Sequence, residues 1–466
     1  MVSGSVRAKA IFVGGTASHA GKSWMTTAIC RYLHRCGLRV APFKAQNMSN
    51  NSFPCAAGGE IGRAQVVQAE ACGLEPEPDM NPVLLKPTSN RGSQVIINGH
   101  VWANLSARDY YEHHSYLREQ AFAAYERLAA RFEYIVIEGA GSVAEMNLKD
   151  RDFVNLSMAR AADAPVLLVA DIDRGGVFAS LVGTFYLLAQ EERELIRSFA
   201  VNRFRGDRSL FEDGVGLLEN HTARPCLGVF PMLDDVRIQE EDGVSLDETV
   251  FDQSARIAIV HLPHISNFTD FRLLRCAWIT SPVPGELDWV ILPGTKNTIG
   301  DLEWLRARGL DAWILQRHRA GARILGVCGG YQMLGESIED PHAMESPVPR
   351  SAPGLGLLPV RTILEGEKVT RVVRAATYGG VEFSAYEIHI GRTEPLGSLD
   401  SFFGSSGGHA NGSFGTYLHG ALEHPAVVRE LMGEDAIAWH ADSVYDRLAD
   451  WFETHSNLRL FEELYL

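Results

Sequence analysis

Residues 14–23 read GGTASHAGKS, a glycine-rich stretch that follows the apolar run KAIFVGG at residues 9–15 and ends in Gly-Lys-Ser. In a phosphate-binding loop, backbone N–H groups surround phosphate oxygens, Lys reaches the terminal phosphates and Ser or Thr ligates Mg²⁺. Five residues rather than four separate Gly15 from Gly21, so this loop is one residue longer than the ordinary motif. Apolar residues at helical spacing then continue to Gly37, which predicts a helix after the loop. The predicted phosphate-binding residues are Gly15, Thr16, Gly21, Lys22 and Ser23.

Further apolar runs, each followed by a glycine-rich or polar turn, repeat this pattern at residues 132–141, 164–176, 256–263, 287–295 and 322–330. Such alternation predicts α/β architecture, with parallel sheets covered by helices. Between Asp234 and Ser254 the apolar runs stop and the sequence becomes acidic. We therefore predict two doubly wound domains with a joint and a helical tail, at residues 1–235, 236–255 (linker), 256–440 and 441–466 (tail).

Composition limits the partners of the chain. The 466 residues are 46% hydrophobic, and 58 acidic against 43 basic residues give a net charge of −15, which argues against a nucleic-acid partner. No uninterrupted apolar segment is long enough to span a membrane, and the N-terminal residues do not resemble a signal peptide. Seven scattered cysteines without a Cys-x-x-Cys pair argue against a zinc or redox site. We expect a cytoplasmic protein with no membrane partner, and the sequence does not indicate its oligomeric state.

A carboxylate at the end of a second strand complements the phosphate loop. The long loop resembles the variant loop of dethiobiotin synthetase and its relatives, which activate a carboxyl group with ATP and need a second acid near Mg²⁺. In YIVIEGAGS, Glu138 directly follows the strand-like residues 134–137. We therefore predict that Ser23 and Glu138 hold Mg²⁺ and that ATP occupies the loop; the alternative for Glu138 is an ordinary solvated carboxylate.

A thiol marks the second half of the chain. In ILGVCGGYQMLG, Cys328 lies between a strand-like run and a glycine-rich turn into a helix, an arrangement that exposes a nucleophile above a sheet. A helix N-terminus next to a thiol favours the thiolate. His419 in FGTYLHGALEH, again after a short apolar stretch, is the candidate base. The sequence therefore predicts a Cys-His nucleophilic site.

This second half resembles the triad-type glutamine amidotransferase domain through Gly-x-Cys-x-Gly-x-Gln at 326–332 and Tyr-Leu-His-Gly at 417–420. The resemblance implies that Cys328 attacks the side-chain amide of glutamine and releases ammonia while His419 transfers protons. It also implies a set of oxyanion and glutamine-binding residues, namely Gly294, Thr295, Gly329 and Gln332. Most members carry an orienting Glu two positions after the His, but that position is Ala421 here. Glu423 and Glu387 remain two candidates for the third member.

Four blocks in the first half resemble the signature blocks of the cobyric acid synthase family, the glutamine-dependent amidotransferases of cobalamin synthesis. They are PFKAQNMSNNS (42–52), GGEIGRAQVVQAEACGLEPEPDMNPVLLKP (58–87), EGAGSVAEMNLKDRDFVN (138–155) and DIDRGGVFASLVGT (171–184). The resemblance implies a corrinoid substrate, adenosylcobyrinic acid a,c-diamide. Amidation of its b, d, e and g carboxylates would use one ATP and one glutamine each time.

Polar residues in these blocks are candidates for substrate recognition, because amide and ammonium groups donate hydrogen bonds to carboxylates and carboxamides. The main candidates are Lys44, Gln46, Asn47, Asp150, Asp152 and Asp173. Others that could extend the polar surface are Asn50, Asn51, Asn81, Lys86, Asn147 and Arg151. The alternative for any of them is loop solvation or helix capping.

Three other functions remain open at this point. The first is the a,c-diamide synthase, which shares both domains, but the block FKAQNMSNN favours the cobyric acid synthase family. A cell-wall precursor amidase pair divides its two domains between two chains and lacks these blocks. A nucleotide-switch regulator with an inactive glutaminase-like domain predicts loss of Cys328 or His419, and both are present.

Overall fold

The structure is a computed structural model that describes residues 7–89, 92–233, 255–345, 348–433, 436–437 and 441–466. The predicted linker 236–255 therefore lies, apart from its final residue, outside the described residues. Among the helices described, none has the length and apolar character needed to cross a membrane.

Among the described residues, the first domain has twelve strands and eight α-helices. The strands are β1 (Lys9–Gly15), β2 (Val40–Phe43), β3 (Gln46–Met48), β4 (Ser52–Pro54), β5 (Glu60–Gly62), β6 (Val83–Ser89), β7 (Gly92–Ile97), β8 (His100–Ser106), β9 (Tyr134–Glu138), β10 (Val166–Asp171), β11 (Ile196–Phe204) and β12 (Cys226–Pro231). The helices are α1 (Lys22–Arg35), α2 (Arg63–Ala71), α3 (Ala107–Glu112), α4 (His114–Ala129), α5 (Leu156–Ala161), α6 (Val177–Leu187), α7 (Gln190–Arg193) and α8 (Glu212–Thr222).

A six-stranded parallel sheet forms the centre of this domain, with the order β12-β11-β10-β1-β9-β2. Every residue of β9 is buried, as expected for a parallel strand covered on both faces. The predicted runs at 9–15, 132–141 and 164–176 contain β1, β9 and β10, so the parallel α/β prediction is confirmed here. Because β9 pairs with β1, Glu138 at the end of β9 lies next to the phosphate loop that follows β1.

The second domain contains fifteen strands and four helices. The strands are β13 (Ile257–Val260), β14 (Ile265–Ser266), β15 (Cys276–Ile279), β16 (Trp289–Leu292), β17 (Gly294–Thr295), β18 (Arg323–Val327), β19 (Ser337–Asp340), β20 (Arg350–Pro353), β21 (Val360–Ile363), β22 (Val369–Ala376), β23 (Glu382–His389), β24 (Arg392–Pro395), β25 (Asp400–Ser401), β26 (Gly407–Ala410) and β27 (Ser413–Thr416). The helices are α9 (Thr298–Ala307), α10 (Leu310–Arg319), α11 (Gly329–Leu334) and α12 (Pro425–Met432).

Its main sheet has the order β15-β13-β16-β18-β27-β26-β25, in which the first five strands are parallel. The predicted runs at 256–263, 287–295 and 322–330 contain β13, β16 and β18. Cys328 follows β18 directly, and His419 comes shortly after β27, the strand next to it. The sheet therefore brings the predicted nucleophile and base to one edge, although ninety-one positions separate them in sequence.

Two helices, α13 (Ala441–His455) and α14 (Leu458–Tyr465), lie within the segment predicted as a helical tail. Their apolar faces pack on the first domain. Val444, Leu448, Trp451 and Phe452 share a buried core with residues of β1 and α1. The hydroxyl of Tyr465 donates to the backbone oxygen of Val166 on β10, at 3.1 Å. The first domain is thus completed by residues that follow the second domain in the chain.

Candidate active sites

The phosphate loop connects β1 to α1 and has the backbone geometry of an anion cradle. Gly21 begins α1 with φ of 93°, a left-handed conformation that favours glycine. A Cβ on Gly15 would lie 3.0 Å from the Lys22 ammonium, so glycine leaves the space that the lysine occupies. Lys22 donates hydrogen bonds to the backbone oxygens of Ala17 (3.0 Å) and Gly141 (2.9 Å). These residues fit a nucleotide phosphate chain at the start of α1.

Glu138, beside the phosphate loop, accepts hydrogen bonds from several polar side chains. The Ser23 hydroxyl donates to its Oε1 at 2.9 Å, and the Lys44 ammonium donates to the same oxygen at 3.0 Å. Gln68 of α2 donates to Oε2. Burial alone would raise the pKa of Glu138, but the Lys44 ammonium and these hydrogen bonds lower it below the ordinary value. A hydroxyl beside an ionised carboxylate fits the oxygen ligands that Mg²⁺ prefers.

Cys328 occupies a strained turn between β18 and α11. Its φ of 53° and ψ of −111° are rare for a residue with a side chain. A Cβ on Gly330 would lie 2.0 Å from the backbone oxygen of Leu292, so the turn requires glycine at that position. The amide of Cys328 donates to Thr416 on β27. The strained turn therefore fixes the thiol at the edge of the sheet, as the strand-nucleophile-helix pattern predicts.

His419 is fully buried and is oriented by Asp270. The two side chains are joined by a hydrogen bond of 2.7 Å between Nδ1 of His419 and Oδ2 of Asp270. Burial on its own lowers the pKa of His419, but the Asp270 carboxylate and the neighbouring Cys328 thiol raise it to about 10. A histidine of this basicity accepts the thiol proton readily. The other ring nitrogen of His419, Nε2, has no hydrogen-bond partner among the described residues, and the Cys328 thiol lies 3.6 Å from the backbone oxygen of Ile388. Cys328, His419 and Asp270 are therefore a candidate catalytic triad, and their roles remain a prediction.

The two glutamates left open as candidates for the third position have other partners. Glu423 accepts hydrogen bonds from Arg63 and forms an ion pair with Arg272. Glu387 pairs with Arg371 across β22 and β23. Both carboxylates already have cationic partners, and neither is hydrogen-bonded to His419 in the part of the chain that the structure describes.

The predicted oxyanion residues meet beside the triad. A Cβ on Gly329 would lie 3.1 Å from the backbone nitrogen of Thr295, and one on Gly294 would lie 3.1 Å from Cε1 of His419. The Thr295 hydroxyl donates to Asp301, which also binds His264. Asp301 therefore holds the loop in place, and the backbone amides of Gly294, Thr295 and Gly329 remain the predicted oxyanion donors.

Gln332 lies on α11 with its amide group held by protein. Its Oε1 accepts from the Thr298 hydroxyl at 3.1 Å, and its Nε2 donates to the backbone oxygen of Ile390 at 3.0 Å and to the Tyr417 hydroxyl. These contacts join α11 to the segment after β23. A role of Gln332 in binding glutamine remains a prediction, and any such role includes positioning these neighbours.

A cavity of about 1200 Å³ lies in front of the phosphate loop. Its walls carry several of the predicted substrate residues, namely Lys44, Gln46, Asn47, Asn50, Asn51, Arg151 and Asp152. Lys44 is paired with Glu138, Gln46 accepts from Tyr110, and Asn47 donates to Gln65. Asp152 accepts from the backbone amides of Val154 and Asn155, and burial raises its pKa. Ile265 and Phe268 of the second domain line the same cavity.

Other predicted substrate residues do not line this cavity. Asp173 is exposed and pairs with Arg205, and Asp150 and Asn147 are exposed on the surface. Asn81 binds the backbone of Lys44 and Val83, which is a structural role. Lys86 is buried in an ion pair with Glu60.

Sequence reasoning missed Asp270, Gln68 and Arg63. Asp270 lies in the 3₁₀ helix Phe268–Phe271, where three apolar or small neighbours surround one buried acid. The signal available in the sequence was this one carboxylate beside phenylalanines, in the segment that follows β13. Gln68 and Arg63 lie on α2 within one of the quoted blocks, but no local pattern indicates which of its polar residues face a site.

Comparisons with known proteins agree with this geometry. Residues 11–246 match the CobQ/CobB/MinD/ParA nucleotide binding domain, and residues 256–427 match the CobB/CobQ-like glutamine amidotransferase domain. A cobyric acid synthase of Parabacteroides distasonis is 45% identical over 95% of this chain and 96% of its own length. Cobyric acid synthases of Dehalococcoides mccartyi and Syntrophobacter fumaroxidans are 45% and 42% identical, over 96% and 97% of this chain and 94% and 98% of their own lengths.

The two matched domains coincide with the two sheets that carry the phosphate loop and the Cys-His-Asp triad. The relatives are similar along nearly the whole chain, so the likeness includes the connection between the domains. The chain therefore belongs to the cobyric acid synthase family, which consists of glutamine-dependent ligases that form C–N bonds.

Proposed function

We propose that this protein amidates the b, d, e and g carboxylates of adenosylcobyrinic acid a,c-diamide, using ATP and glutamine. The observation that supports the proposal is that one chain holds both a His419–Asp270 hydrogen bond in the domain that carries Cys328 and a phosphate loop that faces Glu138. An inactive glutaminase-like domain would have no reason to keep this buried, oriented histidine. The substrate itself is taken from the relatives, which are cobyric acid synthases.

In the glutaminase half, His419 accepts the proton of Cys328, and the sulfur forms a bond to the side-chain carbonyl carbon of glutamine. The backbone amides of Gly294, Thr295 and Gly329 stabilise the negative charge that develops on the carbonyl oxygen. The C–N bond then breaks, His419 returns the proton to the leaving nitrogen, and ammonia departs. Water hydrolyses the thioester to glutamate and regenerates the thiol.

In the ligase half, an oxygen of a substrate carboxylate attacks the γ-phosphorus of ATP and ADP leaves, giving an acyl phosphate. Ammonia attacks the acyl carbon, phosphate leaves, and the amide forms after loss of a proton. Lys22 orients the phosphate chain, while Ser23 and Glu138 would hold Mg²⁺, which supplies charge neutralisation on the phosphates. The donors along the cavity wall, including Asn50 and Asn51, suit a substrate that carries many carboxylates and carboxamides.

Ammonia passes between the halves through the wall shared by the cavity and the triad. Ile265 and Phe268 line the cavity, whereas their neighbours Ser266 and Asp270 face the glutaminase site. The segment 265–270 thus borders both the cavity and the glutaminase residues, which supports a path for ammonia at this place. Passage here keeps ammonia away from bulk water, where it would be protonated.

The decisive experiment measures ATP hydrolysis and product mass with cobyrinic acid or its a,c-diamide, in the presence of glutamine. Consumption of the diamide alone, with up to four amides added, is the expected result. Consumption of unamidated cobyrinic acid that stops after two amides would identify an a,c-diamide synthase instead. Failure to use either corrinoid would overturn the substrate assignment.

A further inference from the structure

One helix touches both active sites. Helix α2 carries Gln68, which donates to Glu138 at the ATP site, and begins at Arg63, whose guanidinium reaches into the glutaminase domain. The two side chains are five residues apart, or about 7.5 Å along a helix axis. Six of the seven other residues of this short helix are buried, so the helix is packed against its surroundings along its length.

The Arg63 end of α2 holds the segment that follows the catalytic histidine. Its Nη2 donates to both carboxylate oxygens of Glu423, at 3.0 and 2.8 Å, and both side chains are buried. Glu423 ends the 3₁₀ helix Ala421–Glu423, which begins directly after Gly420. The amide of Gly420 donates to Asp270 at 2.9 Å, the same carboxylate that orients His419.

A second connection runs through aromatic rings. The Arg63 guanidinium lies 4.9 Å from the ring centre of Phe53 on β4, and Phe53 packs edge-on against Tyr386 at 4.8 Å. Tyr386 exchanges two backbone hydrogen bonds with His419 and stacks on its ring at 5.4 Å. The ion pair with Glu423 and the aromatic contacts of Phe53 and Tyr386 therefore both connect the first domain to His419, the proposed general base.

We propose that α2 couples the two reactions: ligands bound at Glu138 change the Gln68 end of the helix, and Arg63 transmits the change to the His419 segment. Arg63 is a positioning residue, since it acts on the His419 segment through Glu423 and Phe53. Mg²⁺ would compete with Gln68 and Lys44 for the oxygens of Glu138, and phosphate oxygens would compete with Glu138 for the Lys44 ammonium. Glutamine hydrolysis is then fast only when the ligase half is loaded, which prevents wasteful release of ammonia.

The coupling rests on the proposed function, and the test separates the two. Glutamate production by the full-length protein is measured with glutamine alone, with ATP and Mg²⁺ added, and with ATP, Mg²⁺ and cobyrinic acid a,c-diamide. We expect these additions to stimulate the wild-type glutaminase about 5- to 150-fold. In Arg63→Ala the stimulation falls to about 1-fold, while hydrolysis of glutamine alone and amidation with added ammonia are retained. Arg63→Lys restores part of the stimulation.

The matched control is Lys368→Met, which removes another buried ion pair between the domains, that of Lys368 with Glu60. This pair makes no contact with Glu423 among the described residues, so the stimulation should persist. Equal stimulation in wild type and Arg63→Ala, an equal loss of basal and stimulated rates, or no stimulation in the wild type would overturn the coupling. Failure of the wild type to amidate the corrinoid would contradict the proposed function. The coupling would still be supported in that case if ATP and Mg²⁺ stimulated the wild-type glutaminase and Arg63→Ala abolished this stimulation.

Discussion

The two active sites differ in how their key charged side chains are held. In the glutaminase site, Nδ1 of His419 is bound by Asp270 of the same domain, and Nε2 has no hydrogen-bond partner among the described residues. In the ATP site, Glu138 is bound by Lys44, Gln68 and Ser23, so its oxygens are already engaged. His419 therefore already has its orienting partner, whereas Glu138 has to exchange protein partners for ligands.

The largest effect is expected from Cys328→Ala. Glutamine-dependent amidation should fall by about 10⁵-fold or more, because no other group supplies the nucleophile. Amidation with added ammonia should continue at the wild-type rate, since the ATP site is untouched. Amide formation with each nitrogen source is the measurement, and Cys276→Ala on β15 is the control. Equal loss with both nitrogen sources would contradict the division of labour between the two sites.

A smaller loss is expected from Asp270→Asn, which keeps the size of the side chain but removes its charge. Glutaminase kcat should fall about 10²- to 10⁴-fold, because His419 loses the carboxylate that sets its orientation and its basicity. Glu387→Gln is the comparison, since that residue was a candidate for the same role and pairs with Arg371 instead. If Glu387→Gln caused the greater loss, the assignment of Asp270 would be wrong.

The Lys44–Glu138 pair predicts a pH effect in the other site. With Lys44 present, the pKa of Glu138 is lowered and the carboxylate stays ionised as the pH falls. In Lys44→Met burial raises this pKa, so the acid limb of ammonia-dependent amidation should move to higher pH. Lys149→Met removes another cavity lysine without contacting Glu138 and should leave the limb in place. An unchanged profile in Lys44→Met would show that this pair does not control the site.

The smallest effect on turnover is expected from Phe452→Ala on α13. The ring is fully buried against the first domain, so its loss should lower the stability of that domain by about 3–5 kcal/mol. Hydrogen exchange should accelerate in β1 and β10 while β18 stays protected, with little change in glutaminase kcat at low temperature. Tyr186→Ala, at a side chain with 84% exposure, is the control and should change stability by less than about 0.5 kcal/mol. Faster exchange in β18 as well would mean that the two cores unfold together.

Local patterns predicted the parts of the fold that are encoded locally. The apolar runs located β1, β9, β10, β13, β16 and β18, and the glycine-rich turns located the phosphate loop and the Cys328 turn. These features depend on neighbours within a few residues, so spacing alone reveals them. Parallel sheets then bring the ends of these strands together, which is why Glu138 and His419 could be identified from strand order.

Contacts between distant segments were not predictable in the same way. Asp270 and His419 are 149 positions apart, and nothing in the sequence near either residue indicates the pairing. The apolar face of the 441–466 segment was visible at helical spacing, but such a face does not identify the surface that it covers. Arg63 likewise resembles any charged residue at the start of a helix until Glu423 lies beside it.

The packing of α13 and α14 has a consequence for biosynthesis. The ribosome makes β1 and α1 first, and makes the helices that cover them only after the whole glutaminase domain. During translation the glutaminase domain can fold as a unit, whereas the nucleotide-binding domain waits with an exposed apolar surface. The nucleotide-binding core of a nascent chain is therefore complete only after residues 441–466 have been made.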